Sequence, residues 1–227
     1  MRILRGGAVF LAFAVVGGAW AAEVSIGGVP ITLPPPAGFC DLTASQPLDN
    51  HALTTLGALL ETDGSRLLGV SADCQQLADW RAGKRLLDDY AQFQTIIARM
   101  NQGVASPKAY IHEMCATLRA RGNEINTALA PNIKSKMEAA VPNSKVTSQE
   151  FAGVLAEDDT ACYAAQISKG RAENGAERTR INLLSVTVVK NKPISVIHYS
   201  LYAGADATSD LLKKLQDTVA ALYAANK

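Results

Sequence analysis

The chain has four cysteines, and no two of them are spaced as Cys-x-x-Cys. That excludes the compact dithiol redox motif and paired zinc knuckles. Its three histidines, His51, His112 and His198, lie far apart, so none has the close neighbour that makes a zinc motif specific. Gly27-Gly28 and Gly204 do not open the strand-to-helix loop that cradles phosphate, and Ser195 lies outside any nucleophile elbow. Lys and Arg form no block, and the formal charge is only +1, which leaves no electrostatic footprint for nucleic acid or an anionic membrane. Internal repeats, heptad arrays and low-complexity tracts are also missing. The sequence therefore offers no motif for a metal, nucleotide or organic cofactor, and none is expected. The acidic run Glu157-Asp158-Asp159 lacks the alternating ligands and glycine of a calcium loop and reads as an exposed turn.

The first positive signal is at the N-terminus. Arg2 and Arg5 precede an apolar run over 6–19, shorter than the roughly 20 residues needed to span a bilayer, and Ala19-Trp20-Ala21 supplies small residues at a cleavage site. Residues 1–21 are expected to be a secretory signal peptide cleaved after Ala21 or Ala22, with no transmembrane anchor left behind. No cysteine stands at the cleavage point to take a lipid. The expected location is a periplasm, in soluble form, or the extracellular space. Cleavage would leave roughly 205 residues, enough for one sizeable domain, with a net charge near −1 once Arg2 and Arg5 are gone.

An even number of cysteines in an exported chain favours disulfides. Cys40, Cys74, Cys115 and Cys162 allow three pairings. The economical one joins sequence neighbours, Cys40 with Cys74 and Cys115 with Cys162, and buried free thiols are the alternative.

The clearest fold signal is C-terminal. Residues 181–189 and 194–203 are β-branched, apolar runs separated by Lys190-Asn191-Lys192-Pro193, which predicts an antiparallel hairpin. Over 208–224, Leu211, Leu212, Leu215, Val219, Leu222 and Tyr223 recur at helical spacing and predict an amphipathic helix laid on that hairpin. Earlier in the chain, 24–33 reads as one or two edge strands stopped by Pro34-Pro35-Pro36. Ser45 and Pro47 open a helix burying Leu48, Ala52, Leu53, Leu56, Leu59 and Leu60, and Asp63-Gly64 closes it. A strand over 66–72, a short helix capped by Asp73 with Leu77 and Trp80 as anchors, and a strand over 90–97 containing Phe93 follow. Pro107 starts a helix with an inward stripe of Ile111, Met114, Cys115 and Leu118, resuming at Ile125 and Leu129. Pro131 is expected to end or kink it, before a further short helix through Ile133, Met137 and Val141 to Pro142. Strands over 151–156 and 161–167 lead into the hairpin as a meander. The whole is expected to be a single α+β domain over 22–227, a mainly antiparallel sheet with packed helices, carrying a helical insertion at about 107–141.

This element order resembles the PsbP-like fold, through the turn region 153–159, the Lys192-Pro193 connection and the helix from Leu211 to Tyr223. The helical insertion goes beyond that pattern. The resemblance implies a fold alone, because the fold hosts binding proteins for unrelated partners. The function expected from the residues is that of a non-catalytic cell-envelope protein binding a protein or a small ligand. The alternative is a periplasmic enzyme with a dispersed site in which His198, near Tyr199 or Tyr202, serves as acid or base.

Overall fold

The structure is a computed structural model that describes residues 21–140, 145–171 and 176–227. The signal segment over 1–20 and Val141 and Pro142 lie outside the described residues, as do the side chains of Leu129, Pro131, Ile133 and Met137.

The hairpin pairs β8 (Glu177–Val189) with β9 (Lys192–Leu201), and Val189 stands opposite Lys192. Its turn is shorter than the four polar residues suggest. Only Lys190 and Asn191 are unpaired, both in the left-handed region at φ 48° and 63°, the geometry that matches the twist of paired strands. Pro193 belongs to β9 and is tolerated because β5 (Tyr90–Ile96) pairs that strand only from Ser195 onward. At Pro193 the Thr95 hydroxyl donates to the carbonyl at 2.7 Å.

Seven strands lie in the order β3-β4-β5-β9-β8-β7-β6, where β3 is Phe39–Asp41, β4 Ser65–Asp73, β6 Lys145–Glu157 and β7 Ala161–Arg171. Every described pairing is antiparallel, and β6 to β9 form the meander. The architecture is α+β.

Alternation along the strands separates two faces. Ile181, Leu183 and Val189 of β8, with Ile194 and Val196 of β9, point to one core. Helix α4 (Ala205–Ala225) covers it with Leu211, Leu215, Val219 and Leu222, while the Tyr223 hydroxyl donates to the Val188 carbonyl. The N-terminal strands β1 (Ala22–Ile26) and β2 (Val29–Leu33) form their own two-stranded sheet and put Ile26, Ile31 and Leu33 into the same core. Their turn needs Gly27 and Gly28, both at positive φ. A Cβ on Gly27 would sit 2.0 Å from the Met100 carbonyl oxygen. Asn226 fastens this hairpin to the end of α4, its amide bonding both the N–H and the carbonyl of Thr32.

The other face is shared. Helix α1 (Pro47–Thr62) and helix α2 (Cys74–Arg81) pack over β4, with Leu42, Val70, Ala72 and Leu77 buried between them. The sequence stripe on α1 needs correction at its start. Leu48 is 45% exposed, and the buried residue of that turn is Asp49. Burial alone would raise the Asp49 carboxyl, but the Arg81 guanidinium and the Thr43 N–H hold it below the usual range. Asp73 caps α2 by accepting from Gln76 N–H at 2.9 Å. Helix α3 (Pro107–Ala140) lies over β6, β7 and β8. It runs through Pro131 as one element. A proline there removes one hydrogen bond, and the strong helix formers Lys134, Lys136, Met137, Glu138, Ala139 and Ala140 carry the helix onward.

Two disulfides cross-link these layers. Cys40–Cys74 joins β3 to the first residue of α2, with Cα atoms 4.9 Å apart, and Cys115–Cys162 joins α3 to β7 at 5.4 Å. No helix among the described residues is long and apolar enough to cross a membrane.

Candidate functional site

Near the hairpin tip α3 seals the sheet. Val104, Ile111 and Cys115 bury Cys162 and Val188 there. Further along, the helix diverges over β6 and β7 and leaves a strip of β8 and β9 half-exposed, including Leu184, Ile197 and Tyr199. The result is a groove with a cavity of about 180 Å³, floored by Leu184 and Ile197 and walled by Leu118 and Ile125 of α3 and Phe151 of β6. Gly122 shapes that wall. A Cβ there would lie 2.1 Å from Phe151 Cε1, so the missing side chain lets the ring lie against the helix.

One side of the groove carries three amides in a row across the sheet. Asn182 donates to Gln166 Oε1 at 3.3 Å, Gln166 donates to Asn126 Oδ1, and Asn126 donates to the Gln149 carbonyl at 3.2 Å. Asn182 Oδ1 and Gln149 Oε1 are buried and bond no protein group. Tyr199 closes the far wall by stacking on Tyr90, with ring centroids 4.4 Å apart and planes within 12°. Burial, then the neighbouring Tyr90, pushes the Tyr199 phenol far up, and burial raises Tyr90 as well, so both stay neutral.

Past Asn182 on the same face of β8 come Arg180 and Arg178. Both donate to Asp88 Oδ1, at 3.0 and 2.8 Å, while Arg85 reaches Oδ2 at 3.5 Å. Three guanidiniums thus meet one carboxylate beside the Tyr90–Tyr199 pair.

A second concavity, about 410 Å³, lies between α3 and the β6–β7 turn. It contains His112 and the acidic run, which the sequence keeps 45 residues apart. Glu157 pairs with His112 at 2.8 Å and Arg119 at 2.6 Å, and those two bonds hold its carboxyl below the ordinary range. Lys108 pairs with Asp159 at 2.8 Å. Burial would raise Asp158, but bonds from Thr160 and Ala161 lower it overall. Every carboxylate here already has a protein donor. Among the described residues no three His, Cys, Asp or Glu side chains gather in a metal-binding group.

His51 is exposed on α1. His198 is 0% exposed, on the α4 side of the sheet and opposite the groove. Its ring stacks on Phe39 with centroids 5.7 Å apart. Thr218 uses its hydroxyl proton on the Lys214 carbonyl at 2.7 Å, so at 3.5 Å it can only accept from His198 Nε2, and Nδ1 is left without a partner. Burial, with the charge of Lys214, drives the imidazole pKa down to about 4. Among the described residues His198 thus meets Thr218 and Phe39 and no acidic side chain, and its ring is closed to solvent.

No family model matches the chain, and no curated protein matches it. Among solved structures it is similar to the Ran-binding protein Mog1p of Saccharomyces cerevisiae, at 12% identity over 91% of this chain and 92% of that one, with a TM-score of 0.32. It is also similar to the cyanobacterial PsbP protein CyanoP of Synechocystis sp., at 17% identity over 92% and 95% of the two chains, with a TM-score of 0.27. The PsbP-like resemblance is thus weak and one of coarse outline. Neither likeness bears on ligand or partner.

Proposed function

We propose that this is a non-catalytic binding protein of the cell envelope, and that the α3 groove is where it binds. The observation that carries the reading is the half-exposed apolar floor of Leu184 and Ile197, set in a concave site beside Asn182, whose buried amide oxygen has no partner. A cavity with an apolar body and a few convergent polar atoms is the usual form of a ligand site. The residues around it are amides, apolar side chains and the neutral phenol of Tyr199, with no nucleophile paired to a base among the described residues. The envelope location is supported by the secretory pattern of the first 21 residues and by two disulfides, which persist in oxidising compartments. N-terminal sequencing of the exported product is expected to begin at Ala22 or Glu23.

Leu184→Trp tests the groove. The larger ring would fill the cavity from its floor, leaving the α4 core on the other face untouched. Native mass spectrometry after incubation of the oxidised domain with an envelope extract is expected to show a species retained by the wild type and lost by the variant. Equal retention by both, with the disulfides and melting temperature preserved, overturns the groove as the site. Turnover of a substrate that depends on His198 in a folded variant would move the assignment to an enzyme.

A further inference from the structure

Two rows of side chains cross the sheet beneath α3, and they differ in kind. Leu184 stands between Ile197 and Ala164, an apolar row. One step along the strands, Asn182 stands between Tyr199 and Gln166, and Gln166 faces Phe151, so this row has two amides between two aromatic rings. Both rows line the cavity. A step of two strand residues sets them roughly 7 Å apart.

The amides have a direction. The Gln149 carbonyl can only accept, so Asn126 turns its NH2 group toward it and its oxygen toward Gln166. Gln166 then donates to Asn126 and accepts from Asn182. The free end is therefore an oxygen, Asn182 Oδ1, which is buried and bonds no protein group. Such an atom carries a desolvation penalty that a ligand N–H or O–H relieves and that an ether or carbonyl oxygen does not.

No side chain lining the cavity carries a charge. Tyr199 is the only one that can ionise, and burial keeps its phenol neutral. Arg180 and Arg178 lie beyond the amides, outside the lining, and are taken up by Asp88. A carboxylate or ammonium placed over Leu184 would lose water without gaining a partner. Size sets the remaining limit. An engineered apolar cavity of about 150 Å³ accepts benzene, so about 180 Å³ here holds one ring or a compact fused pair. A ring lying over Leu184 and Ala164 needs no side chain to cover the roughly 7 Å to Asn182, provided that the donor belongs to the ring or stands directly on it.

We propose that the groove takes a neutral aromatic molecule of one ring or two fused rings, whose own N–H or O–H donates to Asn182 Oδ1. This rests on the groove being the binding site.

The probes are indole and benzofuran, the same shape with the ring N–H replaced by an oxygen that cannot donate, together with benzoate as a charged ring. Calorimetric titration of the oxidised protein is expected to give saturable binding of indole, with benzofuran and benzoate each weaker by roughly fivefold or more. Backbone amide shifts in the wild type should concentrate at Gln166, Asn182, Leu184 and Ile197, and the Asn182 side-chain amide should move more with indole than with benzofuran, a readout that needs no variant. Asn182→Leu should remove the preference for indole over benzofuran, and Leu184→Trp should abolish binding of both. Equal affinity of indole and benzofuran for the wild type, benzoate binding as tightly as indole, a preference that survives in folded Asn182→Leu, or no saturation by millimolar indole overturns the proposal. If indole fails but an extract species sensitive to Leu184→Trp is still retained, the ligand chemistry is wrong and the binding reading stands. If both fail, the groove itself is not the site.

Discussion

Between pH 6.5 and 5, acid should destabilise this protein chiefly through one residue. His198 titrates at its ordinary 6.5 when unfolded but at about 4 in the fold, because burial between Phe39 and α4 disfavours the imidazolium. Above pH 6.5 the ring is neutral in both states and the full stability is present. As pH falls from 6.5 toward 4 the unfolded chain takes up a proton that the folded chain refuses, so stability is lost across that window and the loss levels off below it. A separation of this size corresponds to about 3 kcal/mol, a large fraction of the stability of an ordinary domain. Other groups act at the lower end of the window. Asp41 and Asp89, raised by burial, take up protons in the fold and oppose the loss, whereas Asp49, Glu157 and Asp158, held low by their partners, add to it as the pH falls through the carboxylate range. A comparison with His198→Gln separates these contributions, since the amide fills similar space, can still donate to Thr218 and does not titrate. Urea unfolding at pH 7.5, 6.0, 5.0 and 4.5 should show the wild type losing most of about 3 kcal/mol while His198→Gln loses much less. Equal losses in the two proteins would mean that His198 is not held as a buried neutral imidazole, and the reasoning would fail.

Three further outcomes follow from the packing. Leu215→Asp places a carboxylate in the fully buried centre of the α4 contact and removes an aliphatic side chain, which should cost more than about 4 kcal/mol and leave the domain unfolded by circular dichroism. Non-reducing peptide mapping should recover Cys40 linked to Cys74 and Cys115 linked to Cys162, and replacing the second pair by serines should lower stability in chemical unfolding by roughly 2–4 kcal/mol. Gly122→Ala should displace the Phe151 ring, lowering the melting temperature by the equivalent of roughly 1–3 kcal/mol and perturbing the amide resonances of the groove; an unchanged spectrum would show that the ring does not rest on that glycine.

Much of the fold is local enough to be legible in the residues. The α4 stripe of Leu211, Leu215, Val219 and Leu222 and the alternation in β8 express the periods of helix and strand, and both survive into the structure because each element buries the face its pattern marks. The readings that needed correction involve competition between local and tertiary demands. Leu48 fits the apolar spacing of α1 but is exposed, because Asp49 turns inward to meet Arg81 and Thr43. Pro131 signals an end or a kink, and the helix does not end there, because strong helix formers continue α3 to Ala140. Lys192 and Pro193 look like turn residues but enter β9, since two left-handed residues suffice to reverse the chain.

The sequence by itself determined an α+β chain with a C-terminal hairpin and helix, since periodicity, proline and glycine act over a few neighbouring residues. Only the tertiary structure decided the site. Leu118, Phe151, Leu184 and Ile197 come from four different elements, and nothing in the spacing of any one of them marks it as groove rather than core. The same holds for Arg178 and Arg180, brought from a distant stretch to Asp88 and its sequence neighbour Arg85, and for His112 beside Glu157. What makes the groove is the path of α3, which covers β8 near the hairpin tip and further along lies on β6 at Phe151 and Gln149, and a helix axis is set by packing and by the Cys115–Cys162 bond, not by the pattern along the helix.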